Sequence, residues 1–164
     1  MKKLIVSTVV LFMGFGLLKA QNDSNIGLMF GYGSEIEQVG IGVNAEFTIV
    51  NNLTISPSFL FYFPEKYYYV TRNMWEVNGN LNYYFLSLEQ MGAYGLAGIN
   101  YSHLSAKGDY MGISSSDGEG KIGANIGGGF KFHLSEKFAP FAEVKYVISD
   151  YDQVVAMIGM KYKF

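Results

Sequence analysis

The chain of 164 residues is long enough for one domain, and with 49% hydrophobic and 16% charged residues it is not a disordered or fibrous polypeptide. Acidic residues outnumber basic ones by 14 to 12, which gives no electrostatic basis for nucleic-acid binding, and the absence of cysteine excludes a disulfide scaffold. The 13 Tyr, 13 Phe and 20 Gly favour strands over long helices.

Lys2 and Lys3 precede a charge-free apolar run from Leu4 to Leu18, followed by Lys19-Ala20-Gln21. This layout predicts a signal peptide over residues 1–20 and a second region, 21–164, that folds. The fifteen-residue run is short for a membrane-spanning helix, which needs roughly 20 residues. Cleavage is expected after Ala20, with Gly16 as the alternative. Without the leader the chain carries nine basic and fourteen acidic residues, a net charge of −5.

From there the sequence alternates with period two. The first strand, from about Ile26 to Gly33, places Ile26, Leu28, Phe30 and Tyr32 on one face. In the second, Val39, Ile41, Val43, Ala45, Phe47 and Ile49 alternate with Gly40, Gly42, Asn44, Glu46 and Thr48. That strand obeys one rule over eleven positions, a length that suits a tilted membrane span of about 9–11 residues. The third runs from Leu53 to Phe63. The fourth, about Met74 to Phe85, sets Trp75, Val77, Leu81, Tyr83 and Phe85 against Glu76, Asn78, Asn80 and Asn82. The fifth, Ala93 to His103, has no clear phase, and either face could point outward. The sixth covers Lys121 to Leu134, the seventh Phe138 to Ile148 and the eighth Val154 to Phe164.

Eight strands in 144 residues leave eighteen per strand with its connection. The fold expected is all-β, an eight-stranded antiparallel up-and-down transmembrane β-barrel. Its even count puts both ends on one side. Short connections at 50–52, 86–92 and 135–137 alternate with longer ones at 34–38, 64–73, 104–120 and 149–153, the last set belonging outside the cell. The longest, Leu104 to Gly120, rich in Gly and Ser, reads as a mobile loop. Tyr67, Tyr68, Tyr69 and Trp75 suit an outer aromatic girdle, and Tyr83, Tyr84 and Phe85 an inner one.

The last strand alternates Val154, Ala156, Ile158, Met160, Tyr162 and Phe164 with Val155, Met157, Gly159, Lys161 and Lys163. The terminal Phe164, with Tyr162 two residues before it, resembles the carboxy-terminal signal read by the barrel-assembly machinery. Together with the leader and the strand count, the chain resembles the OmpX/OmpA-like family of small outer-membrane β-barrels over residues 21–164. Two segments, 80–85 (Asn-Leu-Asn-Tyr-Tyr-Phe) and 94–101 (Tyr-Gly-Leu-Ala-Gly-Ile-Asn-Tyr), also resemble that family. The resemblance implies the outer membrane as location, membrane lipids and the assembly machinery as partners, a monomer, and no cofactor. Unlike full-length OmpA, the chain is expected to lack a periplasmic peptidoglycan-binding domain, so a cell-wall anchoring role does not carry over. The surface partner is left open.

An eight-stranded barrel is just wide enough for side chains to fill it, so no wide pore is expected. Glu46, Glu76, Lys131, Glu143, Lys145 and Lys161 fall on inward positions and must be paired there. The hairpin spacing places Glu143 diagonally between Lys131 and Lys161, and we expect it to bridge them. One constellation suggests catalysis. His103-Leu104-Ser105 resembles the His-x-Ser of lipid A deacylases, with Glu119 to orient the imidazole, although Ala106 stands where that family has Asn. Two alternatives to a structural or surface-interaction role therefore stay open: a lipid-modifying enzyme and a secreted lipocalin-like barrel. His133 lacks a second His at metal-ligand spacing, 117–120 lacks the acidic repeat of a calcium loop, and Gly127-Gly128-Gly129 is followed by no Lys-Ser/Thr.

Overall fold

The computed structural model describes residues 24–67, 70–110, 113–150 and 152–164. The expected leader with both candidate cleavage sites lies outside these residues, as do Tyr68 and Tyr69. The strands are β1 (Ser24–Gly33), β2 (Gln38–Val50), β3 (Leu53–Tyr62), β4 (Glu65–Tyr67), β5 (Val70–Ser87), β6 (Met91–Tyr110), β7 (Ile113–Phe132), β8 (Phe138–Ile148) and β9 (Gln153–Lys163). No helix occurs among the described residues.

Each long strand pairs antiparallel with its chain neighbours, β1 pairs with β9, and β3 pairs with β5. These contacts close eight strands into a barrel, while β4 hangs outside the ring on residues 70–72 of β5. Closure leaves no sheet edge within the barrel wall, the condition for a sheet to sit in lipid. The alternation decides which side faces out. Ile26, Leu28, Phe30 and Tyr32 are exposed on β1, and Val39, Ile41, Val43 and Ile49 on β2. Their neighbours Met29, Asn44 and Glu46 point in and are buried.

Local chemistry shapes the ladder. Pro57 has no amide hydrogen, and the β2–β3 pairing steps from Asn44↔Ser58 to Phe47↔Ile55 across it. The turn between these strands consists of Asn51 and Asn52, with Asn52 in the left-handed region at φ 68°, which the short amide side chain tolerates.

Three strands depart from the expected lengths. β5, β6 and β7 run 18, 20 and 20 residues, and within 104–120, expected as a mobile loop, residues 104–110 and 113–120 form the upper half of a β6–β7 hairpin. Pairing continues in register from Met91↔Phe132 to Tyr110↔Ile113. The upper half carries no period-two signal because a sheet that rises beyond the lipid has no apolar face to repeat every second residue. The connection at 64–73 likewise holds a small hairpin, β4 against the start of β5.

The phase of β6 is now fixed. Tyr94, Leu96, Asn100 and Ser102 point inward, and Ile99 and Tyr101 point out. Its sequence hid this because the inward face is itself partly apolar. Tyr84, expected in the inner girdle, turns inward instead and is 7% exposed, whereas its neighbours Tyr83 and Phe85 face out.

Candidate functional site: a filled interior beneath a surface outcrop

All six charged residues expected inside are there, three carboxylates and three lysines, and five of them segregate into two layers. In the layer nearer the chain termini, Glu46 on β2 is the hub. Lys161 Nζ donates to its Oε2 at 2.5 Å, Tyr84 OH to its Oε1 at 2.5 Å and Thr54 Oγ1 to its Oε1 at 3.1 Å. Lys131 Nζ adds a weaker contact at 3.5 Å while lying 4.8 Å over the Tyr84 ring. In the other layer, Lys145 Nζ donates to Glu76 Oε1 at 2.7 Å and to Asn78 Oδ1 at 2.6 Å. Amides continue that network, with Asn100 and Asn125 donating to Asn78 and Ser102 donating to Asn100.

Glu143 does not bridge Lys131 and Lys161; both lysines reach Glu46 on β2 instead. Its carboxylate instead accepts a 2.7 Å hydrogen bond from Tyr94 OH. The cause is Gly129, the β7 residue paired with Glu143. With no side chain there, the Tyr94 ring lies against the bare backbone, where even a methyl group would collide with the hydroxyl and with the Ala142 carbonyl. Glu143 still lies in the field of Lys161 and of Lys145, and so stands between the two layers. Sequence alone placed Glu46 inward but gave no reason to make it the hub, because its partners lie on β3, β5, β7 and β9.

Apolar side chains fill the rest of the lumen. Met29, Leu60, Tyr62, Met74, Val147 and Val155 form one buried cluster, with Ile36 and Leu104 packed against it from the outer end. The interior is occupied by side chains rather than by a wide pore.

At the end opposite the termini, strand pairing outlasts the barrel. The β7–β8 ladder starts at Ala124↔Ile148, whereas β7 pairs with β6 as far as Ile113. An outcrop of β4, β5, β6 and β7 therefore stands on one side of the mouth, and residues 113–123 of β7 form its outer edge.

The three residues of the catalytic alternative come near each other but face apart. His103 and Ser105 share the outward face of β6. Glu119 pairs with Leu104 and so faces the other way, where it meets Lys121 at 2.7 Å. His103 stacks on Trp75, with centroids 5.3 Å apart and planes at 31°. No carboxylate among these three orients the imidazole. Lys121 also contacts Asp150 at 3.0 Å. Hydrogen bonds to Glu119 and then Asp150 hold its ammonium above the ordinary lysine range. Among the described residues no group of three His, Asp or Glu side chains is arranged to hold a metal. Tyr162 on β9 and Phe164 just beyond it are exposed, and Tyr162 packs on Phe138 with ring centroids 5.4 Å apart.

A closed antiparallel barrel with apolar side chains outward and a filled polar lumen is a small integral outer-membrane barrel. The chain belongs to the outer membrane protein beta-barrel domain family, whose model matches residues 8–164. Its place is the outer membrane. Among solved structures, the amino-terminal barrel domain of Pseudomonas aeruginosa OprF superposes with a TM-score of 0.68 at 16% identity, covering 88% of this chain and 98% of that one. Ail, the attachment invasion locus protein of Yersinia pestis, gives 0.61 at 20% identity, covering 88% and 100%. A major outer membrane protein of Thermus thermophilus gives 0.67 at 9% identity, covering 88% and 100%. At these identities the likeness concerns the fold. No curated protein matches the chain in sequence.

Proposed function

We propose that this protein is a non-enzymatic, monomeric barrel that holds an outcrop of sheet above the outer membrane for contact with other molecules. The observation that carries the reading is the length mismatch of its strands. β6 and β7 continue beyond the last β7–β8 pair, so paired sheet rises above the part of the wall that β8 closes. The filled lumen supports the same reading by leaving transport without a path. The opposed faces of His103 and Glu119 weaken the enzymatic alternative. That a protein of the same fold is called an attachment invasion locus protein agrees with a surface role. Tyr162 and Phe164 serve in this reading as the signal that delivers the chain to the assembly machinery.

Photocrosslinking from position 119, which the shortened hairpin retains, tests the proposal on intact cells. Adducts that disappear when residues 106–117 are replaced by an Asn-Gly turn support it. Identical adducts without the outcrop overturn the surface role, and release of an acyl chain from lipid A by the purified barrel, abolished in His103→Ala, overturns the non-enzymatic one.

A further inference from the structure

At the foot of the outcrop, on the lipid-facing side, aromatic rings from three strands form one continuous surface. Trp75 on β5 is its centre, with Phe59 of β3 at 6.1 Å, Tyr101 of β6 at 5.6 Å and His103 of β6 at 5.3 Å between ring centroids. The strand register arranges the surroundings in rows. Above the Trp75↔His103 pair stands Asn73↔Ser105; below it stands Val77↔Tyr101, followed by Ile99 on the apolar belt. A polar row, an aromatic row and an apolar row thus follow one another toward the membrane.

The neighbouring strand is bare at this height. Gly120 pairs with His103 and Gly118 with Ser105. A methyl group at Gly120 would collide with the Tyr101 hydroxyl, and one at Gly118 would crowd the His103 ring. Both rings therefore lie over β7 backbone, with the Tyr101 and His103 planes tilted by 50° and 31° from that of Trp75. It also sits at the water–lipid boundary, since β3 ends at Tyr62 one residue after the Phe61↔Trp75 pair.

We propose that this platform binds the sugar headgroup of an outer-leaflet glycolipid. A pyranose ring presents an apolar C–H face that stacks on aromatic rings and a rim of hydroxyls that require hydrogen-bond partners. The platform offers both, rings at one level and the Asn73 amide, the Ser105 hydroxyl and the His103 imidazole beside them. An ordinary phospholipid supplies acyl chains for Val77 and Ile99 but has no flat apolar headgroup for the rings. The inference is independent of what the outcrop contacts.

Trp75 is the one tryptophan of the chain and reports directly on its own surface. The full-length mature barrel in detergent is titrated separately with deep-rough lipopolysaccharide, phosphatidylglycerol and phosphatidylethanolamine while Trp75 emission is followed. A saturable change with the lipopolysaccharide at concentrations about fivefold or more below those needed for either phospholipid is expected, and His103→Ala should weaken it by about fivefold, the scale of one lost ring contact. Asn73→Ala, on the polar row, should weaken it as well, and Leu28→Ala on the far wall should not. Equal responses to all three lipids would show acyl-chain contact or ammonium–ring attraction alone and overturn the proposal. So would unchanged binding in both His103→Ala and Asn73→Ala barrels that keep the gel mobility of the folded form.

Discussion

The lumen and the outcrop are built in large part from the same three strands, β5, β6 and β7, yet they obey opposite rules. In the lumen the charged side chains are held by neighbours on other strands, and Glu46 alone gathers groups from β3, β5, β7 and β9. On the outcrop the backbone ladder carries the structure, with β6 and β7 paired from Ser102↔Lys121 up to Tyr110↔Ile113. Substitutions should therefore have large effects below the rim and small ones above it.

The largest effect is expected from Glu46→Gln, which leaves Lys161 and Lys131 without their carboxylate in a buried layer. Loss of one partner of a buried pair costs about 3–5 kcal/mol, measurable as a shift of the urea midpoint in lipid vesicles. A loss no larger than that of a surface ion pair would mean that the two lysines find another acceptor. Next comes Gly129→Ala. It pushes on the Tyr94 hydroxyl and the Ala142 carbonyl and should cost about 1–3 kcal/mol, whereas Gly95→Ala, which meets nothing closer than 3.9 Å, should stay within about 0.5 kcal/mol. Similar values for the two would remove the ring-over-glycine explanation for where Tyr94 sits.

Glu143→Gln keeps an acceptor for Tyr94 and should cost about 1–2 kcal/mol, less than Glu46→Gln in the same assay. The reverse order would make Glu143 the hub. Replacing 106–117 by Asn-Gly joins Ser105 to Gly118 through a tight turn and should leave the midpoint within about 0.5 kcal/mol of the parent. A collapse of stability would show that the outcrop holds the barrel shut.

The smallest effect lies at the mouth. Because its pKa is raised in the folded chain, Lys121 contributes fully below the ordinary lysine range and loses its pairing as pH climbs above that range. Its contacts with Glu119 and Asp150 are solvent-exposed, so Lys121→Met should leave the unfolding midpoint at neutral pH unchanged. A measurable drop would give the mouth a share in closing the barrel.

The legibility of the sequence follows the same boundary. Where lipid covers one face and a packed lumen the other, the residues must alternate, and Val39 to Ile49 announced both the strand and its facing. Where water covers both faces, nothing forces alternation, and the paired backbone of 104–110 and 113–120 passed for a loop. Tyr84 and Tyr94 show a second gap. Aromatic rings serve in the girdle and in the lumen alike, so residue type could not say which, and the positions of Glu46 and Gly129 decided it.

By itself the sequence determined the membrane barrel, its eight strands, the outward face of most of them and the identity of the charges within, because each follows from a local period of two. The tertiary structure decided which charge meets which, where the sheet outgrows the barrel, and that Trp75, Tyr101 and His103 share one surface. Those relations join residues far apart in the chain through strand register and barrel closure, and no local pattern encodes either.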